Sequence, residues 1–554
     1  MAGAPRIPGR HLALALCVGA GRALSEEWRA SGLHRWATSR PRPDGFGVAP
    51  RDFRPPDVEA GRAVLAGAFV LAGQTLATGV RGDPWDRPSP SRAFAEALHR
   101  FDWLPGLIAA GPEGAGEGLR LVLEWRRRFG RWNGFAWAPE VMARRVYNLA
   151  CAGPALAARA SEAEVSQLAA DLARQARDLL GAGDVADAAE RAACAAVAGA
   201  ALRGVGGRRL LDRALAKLGR ALGQTVDAEG GHATRRPDLA LELLFDLQTL
   251  DEAMVQRGMA APDAVQRAID RLAGAVRFFT LDDGRLAAFQ GGQPLSAPYV
   301  AAARAQDEAA DRPTAASLGG YQRLDARHIQ VAADVAAPPA GAWSRSAGVA
   351  PLALSVLVHG RRLIDATAGR GLGAAATVEA GELPARVLAG APGSVLGPRL
   401  VDAEVVVDVQ RHEAPGALWL DLAHHGWMAR YGTMHQRRLY LDTLAGELRG
   451  EDRLTPTARA QGPDGRHFIP YALRFPLHAG VRALVSQDRR SVLLRLEGEA
   501  DGWILRNDAL DIALEPRAGG GAQLVLRGQR RADSGARVRW KLAPARQLPA
   551  EAGS

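Results

Sequence analysis

Cysteine is scarce in this 554-residue chain, and its three examples, Cys17, Cys151 and Cys194, stand far apart with no CxxC spacing. That excludes a disulfide framework and the common zinc boxes, so three small buried hydrophobes is the plainer reading. Lysine is scarcer still: Lys217 and Lys541 are the two lysines among 70 basic residues. The formal charge of +10 is therefore carried by arginine, dispersed along the chain instead of gathered in an arm or stripe. A nucleic-acid binder concentrates its charge on one face, so nucleic acid is not the expected partner. An acidic polysaccharide, gripped by a few arginines in a groove, accounts for the same excess. No apolar run approaches the roughly 20 residues of a membrane span. Five short signatures are also missing: GxxxxGK[ST], a strand-borne GxGxxG, GxSxG, HExxH and the EF-hand loop. The enzyme classes that announce themselves by such motifs are set aside.

What is present divides by period. Residues 1–95 mix short apolar stretches with Pro/Gly clusters such as Pro41-Arg-Pro-Asp-Gly45 and Pro55-Pro56, and read as an irregular segment packed on the helical region. At the amino end, Arg6, Arg10 and His11 precede apolar Leu12–Leu24 in the layout of a weak signal peptide. That stretch is short and interrupted by Arg22, which favours an amphipathic helix over a cleaved leader.

From 96 to 318 apolar residues recur at i, i+3, i+4 and i+7, predicting seven helices: 107–129, 139–157, 162–180, 185–202, 208–222, 237–257 and 261–279. Pro139 and Pro237 occupy tolerated first-turn positions, and Ser161 with Glu164 forms a capping box. Successive helices with short loops pair antiparallel, and without a fixed repeat an α/α toroid is the natural outcome. From 319 to 545 the period becomes two, as in Ile329-x-Val331-x-Ala333-x-Val335 and Ser491–Leu496. Ten or more short strands divided by turn residues indicate a large antiparallel β-sandwich. The fold class is α+β and multidomain, helices first and strands after.

Three clusters carry chemistry. The first runs from Arg131-Trp-Asn133-Gly-Phe-Ala-Trp137 into Arg144-Arg145 and Asn148. Rings stack on sugar faces and guanidinia pair bidentately with carboxylate or sulfate; the same residues would equally well anchor neighbouring helices. The second is Asp227-Ala-Glu-Gly-Gly-His232-Ala-Thr-Arg235-Arg236-Pro237, a glycine-rich loop entering a helix. The third, His424-His425 through Tyr431 to His435 and Arg438, holds three of the twelve histidines within twelve residues. Adjacent strand residues point to opposite faces, so one of His424 and His425 at most serves a given site. The spacing fits no common zinc box. His, Tyr and Arg together do supply the base, acid and cation that proton abstraction beside a uronate requires.

Taken in chain order, these stretches resemble the heparinase II/III family, in particular its alphaproteobacterial branch. The matching residues include Phe101-Asp-Trp103, Trp137-x-Pro139…Arg144-Arg145-x-x-Asn148, Gly230-Gly-His232-x-x-Arg235-x-Pro237, Asp283-Gly-Arg-Leu, Gly320-Tyr-Gln-Arg-Leu324 and Gly426-Trp…Arg430-Tyr-Gly432…His435. The resemblance implies an α/α toroid followed by a β-sandwich, an acidic polysaccharide in the groove between them, and β-elimination at a 4-linked uronic acid. It implies a periplasmic or cell-envelope location, with a cytoplasmic one as the alternative for a chain lacking a clear leader. It implies no cofactor, a structural divalent cation aside.

On that basis His232, His424 and Tyr431 are the expected catalytic residues. Asn133, Trp137, Arg145, Asn148, Arg235, Arg236, His435 and Arg438 are expected to bind substrate. His232 and His424 are expected to face each other across the toroid–sandwich junction within ~10 Å, both in reach of one sugar ring.

The departures are equally specific. Characterised members place a Tyr shortly after the Gly-Gly-His loop, where this chain has Asp238-Leu239-Ala240. A sandwich His is expected after Trp343, where Arg345-Ser346-Ala347-Gly348 stands. The toroid Asn has no equivalent around 190–196. Either His232, Tyr431 and His424 have taken over those roles, or the chain is a non-catalytic glycan-binding or envelope-assembly protein.

Overall fold

The computed structural model describes residues 9–545 apart from 308, 310–313, 349–350, 366–377, 381–385, 389, 398, 402–404, 429–431, 458–467, 499–501, 518–520 and 532. Two compact units emerge. One comprises Met1–Val226, Leu241–Ala273 and Ala305–Asp307; the other comprises Asp227–Ala240, Gly274–Arg304 and Glu308–Ser554.

The first unit is helical. The segment read as irregular opens with a 22-residue helix, Gly9–Ala30, followed by Gly32–Thr38. The helices Pro139–Ala157 and Glu162–Leu180 fall where the periodicity places them, and the capping box at Ser161 and Glu164 is formed. The stretch 107–129 is instead two helices, Leu104–Ala109 and Pro112–Phe129. Gly111 sits between them at φ 101°, a backbone that favours glycine, and Pro112 can only begin a helix. At the centre lies Ala188–Ala201, buried along nearly its whole surface. Its alanines and glycine allow close approach: a Cβ on Gly199 would stand 2.6 Å from the Leu211 backbone nitrogen. Small residues here let three neighbouring helices pack against one.

The second unit is strand-rich. Its largest sheet has eight antiparallel strands in the order Val407–Ala414, Ala417–His424, Thr433–Asp442, Glu447–Pro456, Ala536–Pro544, Gly502–Asn507, Ser491–Leu496, Val481–Val485. A four-stranded sheet (Asp511–Pro516, Ala522–Arg531, Phe468–Pro476, Val378–Ala380) and a five-stranded sheet complete it. Leucines, valines and Trp427, Trp503 and Trp540 from all three sheets form one core.

The five-stranded sheet, which includes Ile329–Asp334, is covered on both faces, since all six residues of that strand are buried. Ile329, Val331 and Ala333 join the apolar core. The alternate residues meet polar partners: Asp334 is paired with Arg235 and Gln290, and Gln330 accepts from the Asp282 amide at 2.8 Å. Arginines fasten the covering loops. Arg323 donates to the carbonyls of Phe278 and Thr280, and Arg362 to Asp283 and the Leu286 carbonyl. The segments 227–240 and 274–304, which include helix ends and the helix Ala297–Arg304, therefore pack with the strands although they lie among the helices in sequence.

Among the described residues, no helix is long and apolar enough to cross a membrane.

Candidate functional site

The 227–240 loop is held in place by its own polar groups. The Asp227 carboxylate caps the amides of Glu229 and Gly231, each at 2.8 Å. His232 is 4% exposed; its Nδ1 lies 2.7 Å from the Thr234 hydroxyl, and its ring meets Trp343 edge-on at 6.2 Å. Arg235 stacks over Tyr321 at 4.5 Å, donates to the carbonyls of Gly319 and Gly320, and forms a buried ion pair with Asp334. Burial lowers its pKa, but Asp334 more than offsets this and the guanidinium stays charged. Arg236 is taken by Asp238, which also accepts the Gln293 amide. Both arginines have intramolecular carboxylate partners.

The histidines of the third cluster sit inside the eight-stranded sheet. His424 and His435 are directly opposite on neighbouring strands, so their side chains share a face, and both are 0% exposed. Their rings meet edge-on at 4.9 Å with Trp427 against both. Asp452 accepts from His435 at 2.8 Å, Arg437 at 2.7 Å and the Trp540 indole at 2.9 Å. Burial drives His424 well below the ordinary histidine range, and the charges of His435 and Arg437 push the same way. Burial also lowers His435, against the pull of Asp452. For Asp452 burial acts upward, yet Arg437 and His435 hold it well below the usual carboxylate range. His425 points the other way, to Asp408 at the surface, as strand alternation requires. Arg438 is also at the surface, paired with Asp421. Tyr431 lies outside the described residues.

The expected sugar-binding residues of the helical unit are mostly internal. Arg145 is 0% exposed; it donates to Gln175 and to the His99 carbonyl and lies over Trp125 at 4.3 Å. Asn148 donates to the carbonyls of Arg100 and Phe101. The Trp137 indole donates to the Phe129 carbonyl, and the Asn133 side chain accepts from the Ala136 amide. These contacts fix the ends of neighbouring helices, and as placed Arg145, Asn148 and Trp137 present almost no surface to a ligand. His232 and His424 belong to the same compact unit, so the two do not come from opposite partners of a toroid–sandwich junction.

One cluster was not anticipated. In the helical unit Arg54 donates to Asp52, Asp246, Glu242 and the Tyr147 hydroxyl, which in turn bonds Asp52 and Thr249 at 3.0 and 2.9 Å. Arg144 pairs with Asp246 and stacks on Tyr147. Unlike the sandwich histidines, the group reaches solvent: the side chains of Arg144 and Glu242 are 25% and 32% exposed. Asp102 is itself exposed, while the protein around it desolvates its carboxyl and raises it to about 6, against the pull of Arg100 and Arg144. Arg54 and Asp246 alone are 192 residues apart in sequence, so no local motif marks the cluster. Among the described residues, no group of three or more His, Cys, Asp or Glu is arranged to hold a metal.

A helical toroid followed by a strand-rich sandwich is the architecture of the heparinase class of polysaccharide lyases, and the solved structures agree. Heparinase III matches with a TM-score of 0.66 at 12% identity, over 94% of this chain and 91% of its own. The heparan sulfate lyase HepC from Pedobacter heparinus gives 0.56 at 14% identity, over 93% and 88%. At such identities the likeness establishes the fold. The model of the heparinase II/III-like C-terminal domain matches residues 309–541. FtsZ-localized protein C of Caulobacter vibrioides is 45% identical over 98% of this chain and 97% of its own length. The chain belongs to the heparinase II/III-like family.

Proposed function

We propose that this chain is a binding and assembly member of its family, acting in the cytoplasm at FtsZ-containing structures of the dividing cell envelope, and not a β-eliminating lyase. The observation that carries the reading is the enclosure of the three histidines expected at the site: His424 and His435 have no exposed surface, and His232 has 4%. A base that removes the C5 proton of a uronate must come within hydrogen-bond reach of the sugar ring. The cations that would neutralise the uronate are committed too, Arg235 to Asp334 and Arg145 to Gln175. Asp238-Leu239-Ala240 and Arg345–Gly348 stand where the family's Tyr and His are expected. The name of the Caulobacter relative supports the association with FtsZ and, with it, the cytoplasmic location.

An acidic polysaccharide remains the ligand class that family membership supports, bound without cleavage. Two measurements test the proposal. A fluorescent fusion should track FtsZ and disperse when FtsZ is depleted. The purified chain should give no unsaturated-uronate absorbance on a panel of heparan, heparin and other uronate glycans. Turnover of any of these, or a distribution indifferent to FtsZ, would overturn it.

A further inference from the structure

A cavity of about 310 Å³ in the helical unit is left unused by every role described so far. It opens where the turn after Gly9–Ala30 meets the 131–137 loop and Glu162–Leu180. Arg29, Arg35, Arg131 and Arg174 line it together with His34, against one lining carboxylate, Asp178. Asp178 is 3% exposed and already shared: Arg29 pairs with it through two bonds of 3.0 and 2.7 Å, and His34 lies 2.8 Å from it. Arg174 donates to the Gly130 carbonyl and stands over Trp137, with Asp171 3.7 Å away on its other side. Asp171 is in turn paired with Arg126. Arg35 and Arg131 are exposed, and neither forms an ion pair among the described residues. Trp132 also lines the cavity, half-buried, and its enclosed indole nitrogen has no hydrogen-bond partner.

We infer that this cavity binds a nucleotide, with the phosphates on Arg35 and Arg131 and the base against Trp132. Size admits one small ligand. Charge decides its class: four guanidinia facing one carboxylate that is already paired call for an anion of two or more charges. A di- or triphosphate supplies these within a few ångströms, whereas a uronate disaccharide of similar size spreads one or two over its length. The indole, with Arg29 5.9 Å from its centroid, offers a flat aromatic face, which a purine matches and inorganic phosphate does not. Recognition here rests on side-chain guanidinia, so the absence of a glycine-rich phosphate loop from the sequence does not count against it.

Equilibrium dialysis of the full chain with ADP, pyrophosphate and an unsulfated uronate disaccharide tests the inference. ADP should bind saturably, more weakly as salt rises, and pyrophosphate should displace it at higher concentration. Arg35→Ala and Arg131→Ala should each weaken ADP by about tenfold with melting temperature unchanged, since both side chains are exposed. Trp132→Ala should weaken ADP and leave pyrophosphate unaffected. The inference is overturned if ADP fails to bind at millimolar concentration, or if ADP binds equally well to both arginine variants. It is overturned as well if pyrophosphate matches ADP regardless of Trp132, or if the uronate binds more tightly than ADP. None of these outcomes depends on whether the chain tracks FtsZ.

Discussion

The charged clusters around Arg54 and around Asp452 are built from similar groups and differ in their access to water. In the sandwich, His435, Arg437, Asp452 and the Trp540 indole converge where each residue is at most 3% exposed. In the helical unit, Arg54, Asp52, Tyr147 and Asp246 converge just as closely, but Arg144 and Glu242 carry the network to solvent, with Asp102 exposed nearby. Enclosure turns a cluster into structure: its charges are set by each other, and breaking one exposes the cost of burying the rest. An open edge leaves groups that exchange protons and meet ligands. Histidines make a sequence look catalytic, yet in this chain the histidine cluster is the enclosed one.

The largest expected effect is on the enclosed side. Asp452→Asn takes the carboxylate from Arg437 and His435 and leaves a buried guanidinium without its counter-charge, so unfolding free energy should fall by about 3–5 kcal/mol. Denaturant unfolding measures it. A loss below about 1 kcal/mol would mean that water reaches the cluster and that the contrast in enclosure is wrong.

How far the sequence leads depends on the same division. Helix starts were legible where the chemistry is local, as at Ser161 with Glu164 or at Pro139 and Pro237. The strand Ser491–Leu496 was legible because two-residue alternation is a local signal. The opening helix Gly9–Ala30 was weighed against a leader, and the Pro/Gly clusters that suggested irregular chain begin only after it. At the candidate site, alternation correctly separates His424 from His425, but it cannot say whether the face His424 shares with His435 is covered. That depends on Trp427 and on a sheet assembled from strands a hundred residues away. The Arg54 cluster lies beyond any local reading because Asp52, Tyr147 and Asp246 meet only after the helices pack.

A second prediction uses pH. His99 is buried beside Arg145, and burial, then that charge, lower it to about 4; His424 and His435 are lowered from the same ordinary value of 6.5. Between pH 6.5 and about 4 the unfolded chain takes up protons that the folded chain refuses. Stability should therefore be intact above 6.5 and fall on acidification, by up to about 1.4 kcal/mol per pH unit for each histidine. Urea unfolding across that range gives the slope, and imidazole NMR should find His99 neutral down to about pH 4 and His424 and His435 both titrating below the ordinary histidine value. Rings that protonate near 6.5 would place water inside both regions and erase the distinction.

Asp102 should produce the smallest effect and the opposite sign. Desolvation by its surroundings raises its carboxyl to about 6, so between the ordinary carboxylate range and pH 6 the folded chain holds a proton that the unfolded chain has released. Its contribution to stability is thus favourable in acid and is lost as pH rises, the reverse of the histidines. Because the side chain is exposed, solvent screens much of this shift, so the titration moves only part of the way up and its effect on stability shrinks with it. Asp102→Asn should make stability at neutral pH equal to or slightly above that of the parent and remove a carboxyl titration that NMR finds above the ordinary carboxylate range. The titration is the decisive readout, since a carboxyl raised at an accessible position beside Arg144 is what the enclosed histidines lack. If Asp102 instead titrates near 4 and the Asn variant matches the parent at every pH, access to solvent does not confer chemistry on the helical cluster. Its open edge would then be as inert as the sealed interior of the sandwich.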